Sequence, residues 1–283
     1  AVRHIYCGGL YASAASLFAS ALVEKSPCPF VFILGDLEEA GYFYHDLTQV
    51  LGTERILFFP SSFRRSVKYG QKDAANEILR TEVLSRLQKG EEGLCIVTYP
   101  DALAEKVVSR QELSENTLKL HVGERVDTGF ITDVLHSYGF EYVDYVYEPG
   151  QYAVRGSIID VFSFSSEYPY RIDFFGNDVE SIRTFEVDSQ LSKEKKESIV
   201  IVPDLAVTGK VTTSFLDFIP KDTTLAMRDF LWLRERIQVV HDESLTPQAL
   251  ASQEAEENGG ITLEGKLIDG SEFTVRALSL IHI

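Results

Sequence analysis

Residues 148–162, Glu-Pro-Gly-Gln-Tyr-Ala-Val-Arg-Gly-Ser-Ile-Ile-Asp-Val-Phe, and residues 170–176, Tyr-Arg-Ile-Asp-Phe-Phe-Gly, decide the fold of this 283-residue chain. Pro149-Gly150 is a turn signal. The apolar run at residues 158–162 is typical of a strand. Together these features predict β-hairpins, and we expect one long strand over residues 154–162.

The second of these segments has a clear inner and outer face. A strand period of two places Ile172 and Phe174 on one face, where they can fill a core, and Arg171, Asp173 and Phe175 on the other. Arginine and aromatic side chains dominate the energetics of protein–protein interfaces. The outer face is therefore a candidate docking surface, although the local pattern equally allows Phe175 to be buried at a strand end.

The wider sequence EPGQYAVRGSIIDVFSFSSEYPYRIDFFGNDVESIRTFEVDSQLS, residues 148–192, resembles domain 2 of the nucleotide-excision-repair protein UvrB. It is more similar still to the same module near the start of the transcription-repair coupling factors. The resemblance implies docking of UvrA through Arg155, Arg171 and Phe175, with Arg183 as a weaker addition. The arginines would bond partner carboxylates, and Phe175 would supply an apolar anchor. For Arg155, a salt bridge within the domain, to Asp160, Asp173 or Glu180, stays open as an alternative.

The composition and charge of the chain indicate which kinds of binding partner are expected. The net charge is −16 and the sequence pI is about 4.8, which disfavours broad DNA binding and suits protein partners. Residues 64–72 hold the best local basic patch, although a solvated face explains it equally well. Three scattered cysteines and six histidines without ligand spacing predict no metal, disulfide framework or cofactor. The absence of a long apolar run or an N-terminal leader predicts a cytoplasmic protein with no membrane contact, and a piece of a longer chain.

Residues 1–127 alternate between strand-like and helix-like segments, beginning with a possible strand at 3–7 and including a helix at 101–108. This alternation predicts a parallel α/β sheet. Residues 128–208 predict a small, inserted α+β domain with a helix at 128–138, later strands and an exposed charged loop at 193–197. Residues 209–283 are expected to rejoin the first domain, with hairpin strands over 261–277. The predicted domains are thus 1–127, 128–208 and 209–283.

The first unit has the layout of a P-loop without its chemistry. A P-loop, G-x-x-x-x-G-K-[ST], needs its lysine for the phosphates and its hydroxyl for magnesium. The aligned residues begin at Gly9 and end in Ala14, Ala15 and Ser16, so the second glycine and the lysine are both missing. In UvrB, the stretch similar to residues 215–229 leads into an acidic magnesium box, but here Arg228-Asp229 stands there, and arginine cannot bind a cation. We predict a degenerate, helicase-like P-loop fold that binds no nucleotide.

The resemblance implies a non-catalytic, monomeric adaptor that recruits UvrA to couple stalled RNA polymerase to nucleotide excision repair. Contact with polymerase and DNA would be indirect, through parts of such factors beyond this chain. One alternative is a UvrB-type, ATP-dependent damage-verifying helicase. It would need the missing lysine, the acidic box and a long aromatic hairpin, for which residues 63–74 are too short. Another is an interaction domain of unrelated function.

Overall fold

The computed structural model of the protein describes residues 5–62, 74–203, 205, 211–244 and 265–280. The chain divides into two compact units, residues 1–107 with 211–283 and residues 108–210. The structure therefore groups residues 108–127 with the second unit, and the division at 127 and 208 stays a prediction about folding domains. None of the helices in the described ranges is long and apolar enough to span a membrane.

The first unit contains a four-stranded parallel sheet, which bears out the α/β class at the level of mixed helices and strands. The strands lie in the order Thr224–Met227, Phe30–Ile33, Cys95–Thr98 and Ile56–Phe58. The two central strands are buried along their whole length, as expected when both faces of a parallel sheet are covered. The strands of this unit are β1 (Phe30–Ile33), β2 (Ile56–Phe58), β3 (Cys95–Thr98), β4 (Lys106–Val108, which reaches the second unit), β13 (Val211–Ser214) and β14 (Thr224–Met227).

Helices follow the strands of this unit, and several begin at a side-chain cap. Asp36, for example, accepts a hydrogen bond from the Glu39 amide at the start of the second helix. The helices are α1 (Ser13–Lys25), α2 (Leu37–Leu51), α3 (Ala74–Lys89), α4 (Pro100–Ala104), α7 (Phe215–Phe218), α8 (Phe230–Ser244) and α9 (Gly270–Leu280).

Three expectations for the first unit were wrong. Residues 5–7 of the expected first strand lie in no strand, and residues 3 and 4 lie outside the described ranges. The helix expected over 101–108 ends at Ala104 and gives way to β4. Within the hairpin expected at 261–277, residues 270–277 instead lie in the helix α9, because the Asp269 carboxylate accepts hydrogen bonds from the amides of the first helical turn.

The second unit is built on a six-stranded sheet of order β11-β10-β9-β8-β7-β6. Its inner face packs on a core that includes Ile172, Phe174 and the helix residues Ile131 and Leu135. A two-stranded ribbon, β5 with β12, contributes to the same core. The elements are α5 (Arg110–Glu115), β5 (Leu118–His121), α6 (Thr128–Ser137), β6 (Glu141–Tyr142), β7 (Gln151–Arg155), β8 (Ile158–Val161), β9 (Tyr170–Phe175), β10 (Asp178–Phe185), β11 (Ser192–Lys196) and β12 (Ser198–Ile201).

The helix expected at 128–138 and the two faces of residues 171–175 are confirmed in this unit. The single strand expected over 154–162 is instead the β7–β8 hairpin, which turns at Gly156 with φ +63°. The charged loop expected at 193–197 is largely the edge strand β11. Lysine-rich sequence is common at sheet edges, because it discourages pairing with other chains.

Candidate partner-docking surface

The outer face of the six-stranded sheet carries the side chains selected from the sequence. Asp160 on β8 lies opposite Arg171 on β9, and Arg171 lies opposite Arg183 on β10. Like charges placed directly opposite destabilise an antiparallel pair unless carboxylates intervene. The structure supplies those carboxylates from the same face.

Asp160 accepts hydrogen bonds from two of the arginines on this face. Its side chain is only 1% exposed, in the apolar strand β8. Arg171 makes a bidentate pair with it, Nε to Oδ1 at 2.8 Å and Nη2 to Oδ2 at 2.8 Å. Arg155 donates to the same Oδ2 from Nη2. The internal salt bridge that the sequence left open for Arg155 is therefore present.

Arg171 has further partners inside the unit. Its Nη1 donates to the backbone carbonyl of Gln190 at 3.1 Å, and its guanidinium lies 4.4 Å from the centroid of the Phe185 ring. The hydrogen bond to Asp160 raises the pKa of Arg171 above its ordinary value, so this side chain stays charged. Only 14% of the side chain is exposed.

Arg183 belongs to a second pair on the same face. It donates to Asp173, which also accepts a hydrogen bond of 2.9 Å from the Ser181 hydroxyl. The Arg183 Nε is buried and has no hydrogen-bond partner within the ranges that the structure covers. One third of the Arg183 side chain remains exposed.

Phe175 is the outlier on this face, because it points into solvent. It is 77% exposed at the end of β9, where the chain turns through Gly176 with φ +61°. The alternative of a ring buried at a strand end is therefore wrong. An aromatic ring left exposed on a fixed strand end is the kind of residue that becomes an anchor when a partner covers it.

The face as a whole combines one free aromatic ring with fixed cations. The face carries four cations, Arg155, Arg171, Arg183 and the exposed Lys195, and three carboxylates, Asp160, Asp173 and the exposed Asp178, which lies directly opposite Phe175. The face is thus slightly positive in an otherwise acidic protein, which suits a partner with carboxylates.

The sequence did not reveal how completely the arginines are paired. Asp160 was considered only as a partner of Arg155, and the contributions of Phe185 and Gln190 were missed. One signal was available, since an aspartate inside the run Ile158-Ile159-Asp160-Val161 must be buried, and a buried carboxylate requires cationic or hydrogen-bonding partners. The docking roles of Arg155, Arg171, Phe175 and Arg183 stay predictions.

The first half of the predicted nucleotide site lies at the start of α1. Gly9 has φ +80°, and Ala14 and Ala15 lie in the first turn of the helix. Ser16, at the position of the P-loop hydroxyl, is buried and donates a 2.6 Å hydrogen bond to Asp46 of α2. Its hydroxyl is thus engaged in packing α1 against α2.

The second half of that site lies at the carboxyl ends of β14 and β1, the edge at which parallel α/β sheets bind ligands. The Gly35 amide there donates a hydrogen bond of 2.8 Å to Glu39 Oε2, so this N–H group is already bonded to a carboxylate of the protein itself. Arg228 is 82% exposed, and its Nη1 lies 3.9 Å from Glu39 Oε1. Asp229 accepts from the Trp232 amide at 2.9 Å and so caps α8.

No group of three or more metal-ligating side chains occurs among the residues that the structure describes. The basic patch and the short hairpin segment considered at 63–74 lie almost wholly outside those residues, as do residues 281–283.

The unit that carries this surface is similar to a known protein family. Residues 118–206 match the family model of the UvrB interaction domain. The chain is 33% identical over 196 residues to the transcription-repair-coupling factor of Bacillus subtilis (strain 168). This alignment covers 69% of the chain and 16% of that protein. It is 29% identical over 198 residues to the factor of Escherichia coli (strain K12), with 69% and 17% covered, and 29% identical over 202 residues to that of Haemophilus influenzae, with 71% and 17% covered.

Proposed function

We propose that this chain, which resembles the N-terminal UvrB-like module of transcription-repair coupling factors, recruits UvrA as a non-catalytic adaptor in nucleotide excision repair. The chain spans about a sixth of the length of the curated relatives it matches. Contact with stalled RNA polymerase and with DNA would be indirect, through the remaining parts of such a factor. The adaptor would work as a monomer in the cytoplasm.

The observation that carries the proposal is the exposed ring of Phe175, beside a positively charged face, within the UvrB interaction domain. Arg155 and Arg171 are held by Asp160, so they are fixed in place before a partner arrives. A cation that is already ordered loses little entropy on binding. In this proposal Phe175 is the anchor, and the arginines supply charge complementarity rather than free binding groups.

The non-catalytic part of the proposal rests on the degenerate, helicase-like P-loop unit into which the second unit is inserted. The lysine and second glycine are replaced by Ala15 and Ala14, and the Ser16 hydroxyl already bonds Asp46. A phosphate would also have to compete with Glu39 for the Gly35 amide. These contacts favour the adaptor over the UvrB-type helicase.

The direct test is a binding titration of UvrA against the whole chain and its Phe175→Ala variant. We expect a loss of about 2 kcal/mol or more, about 30-fold in Kd, because the variant removes a central aromatic anchor. Tyr42→Ala is the matched control, since this ring is 69% exposed on α2 of the first unit. Equal UvrA binding by wild type and Phe175→Ala would refute the site.

The helicase alternative is tested separately by isothermal titration with magnesium and ATP. We expect no saturable heat with the wild-type chain. Magnesium-dependent ATP affinity that is lost on changing Ser16 to Ala would instead revive the UvrB-type enzyme.

A further inference from the structure

A second surface of the same unit has the opposite chemistry. Residues 141–148 read Glu-Tyr-Val-Asp-Tyr-Val-Tyr-Glu, three tyrosines and three carboxylates around two valines. The longer stretch 126–154 holds five carboxylates and no lysine or arginine. Phe175 and its arginines belong to a positive face, whereas this segment is wholly negative.

The fold buries the small side chains of this segment and exposes the large ones. Val146 is fully buried and Val143 packs on the same small core. Tyr142, Tyr145 and Tyr147 are 59%, 50% and 56% exposed. Burial of an aromatic ring stabilises a protein more than burial of a valine, so core formation does not explain three exposed rings within six residues. We call these three tyrosines, with Glu141, Asp144 and Glu148, the tyrosine surface.

The backbone of the tyrosine surface is fixed. The amides of Tyr147 and Glu148 both donate to Gln151 Oε1, at 2.9 and 3.1 Å. The Val143 amide donates to the Tyr152 carbonyl at 2.9 Å. A surface held in this way loses little conformational entropy when a partner binds.

The surface also includes the edge of the described sheet. Strand β6 is the last strand in the order, and among the residues that the structure describes it pairs only with β7. Glu141 and Val143 direct their amides toward β7, so the alternation of a strand directs the N–H and C=O of Tyr142 to the open edge. An extended peptide can add to such an edge through backbone hydrogen bonds.

One of the three rings already contacts a guanidinium group within the protein. The Arg155 guanidinium carbon lies 5.1 Å from the centroid of the Tyr145 ring while the same guanidinium bonds Asp160. Guanidinium groups stack on aromatic faces and form bidentate bonds with carboxylates, whereas the ammonium of lysine is a point charge. Rings alternating with carboxylates therefore fit arginine better than any other side chain.

We propose that the tyrosine surface binds an extended, arginine-bearing segment of a protein partner. The inference does not depend on UvrA being the partner of Phe175, because the two surfaces differ in charge and would take segments of opposite charge.

The test uses the whole chain and a labelled ten-residue peptide with arginine at every second position, compared with its lysine counterpart, by fluorescence anisotropy. We expect the arginine peptide to bind about fivefold tighter than the lysine peptide. The Tyr145→Ala, Tyr147→Ala double variant should lose about tenfold in affinity for the arginine peptide. Because both rings are half exposed, the urea midpoint of this variant should match that of the wild type.

A charge-matched control is needed because the chain as a whole is strongly acidic. Asp144→Asn with Glu148→Gln removes two charges from the surface, and Glu24→Gln with Glu92→Gln removes two exposed charges from the first unit. We expect only the former pair to weaken binding at about 0.15 M salt. Equal weakening by both pairs, equal affinity for the two peptides, or full binding by the tyrosine variant would overturn the proposal. A dimer detected by analytical ultracentrifugation would also overturn the proposal if both Phe175→Ala and Tyr145→Ala abolished it. In that case the partner of the tyrosine surface would be a second copy of the chain.

Discussion

Replacing Asp160 by asparagine tests whether the arginines of the positive face are primarily structural. The substitution keeps the volume of the side chain and removes its charge. Asp160 is 1% exposed and accepts three hydrogen bonds from Arg155 and Arg171. Removing one member of a buried ion pair typically costs about 3–5 kcal/mol, because the other charge is left without a partner.

The expected cost here is smaller, because both arginines can regain some water. The side chain of Arg155 is 36% exposed and that of Arg171 is 14% exposed. We therefore expect Asp160→Asn to lower the free energy of unfolding by about 2–3 kcal/mol. Exposed Asp144→Asn in the same unit is the control, with an expected change within about 0.5 kcal/mol.

Urea titration followed by far-UV circular dichroism measures the loss, and native-state hydrogen exchange localises it to the amides of β8 and β9. A double-mutant cycle with Arg171→Met should show strong coupling, since the second substitution removes the guanidinium that the first leaves unpaired. If Asp160→Asn were as stable as the wild type, the arginines would not depend on Asp160 and would be free for a partner.

Three further predictions concern stability elsewhere in the chain. Glu105→Gln should lower the free energy of unfolding, measured by urea titration, by about 3 kcal/mol. The reason is that buried Glu105 pairs with Arg80 at 3.3 Å and accepts a hydrogen bond from the Ser62 hydroxyl. A change below about 0.5 kcal/mol would contradict this prediction. Burial raises the pKa of Cys95 from about 9 to about 12. The buried neutral thiol therefore contributes fully to the free energy of unfolding below pH about 9, and this contribution is lost as the pH rises toward 12. At pH about 8, a thiol reagent should label exposed Cys7 and spare Cys95 until urea unfolds the chain. Asp127→Ala should lower the free energy of unfolding by about 1 kcal/mol, because the carboxylate caps α6 through the Gly129 and Phe130 amides, and unchanged thermal and urea midpoints would refute that role.

The sequence predicted those features that depend on local periodicity. The alternation of residues 171–175 placed Ile172 on the core face and Phe175 on the opposite face, as the structure has them, but it did not decide whether Phe175 is exposed or buried at the strand end. The strands at 30–33 and 95–98 were likewise evident, because strands buried on both faces are nearly continuous runs of apolar residues.

Features that depend on long-range pairing were not predictable. Asp160 meets Arg171 only through the register of β8 on β9, which no local pattern specifies. Residues 192–196 form a strand because β10 offers them a pairing edge, although their lysine content predicts a loop. Asp269-Gly270 resembled a hairpin turn, whereas the carboxylate caps a helix whose Phe273 and Ala277 are buried on one face.

The bond between Ser16 and Asp46 has a consequence for any attempt to engineer nucleotide binding into this chain. Substituting glycine for Ala14 and lysine for Ala15 would restore the sequence of the motif. The Ser16 hydroxyl would still be hydrogen-bonded to Asp46 of the neighbouring helix α2. A protein engineer would also have to free that hydroxyl and clear Glu39 from the Gly35 amide. Each of those changes would remove a contact within the first unit, so a chain engineered to bind nucleotide would be less stable than the present one.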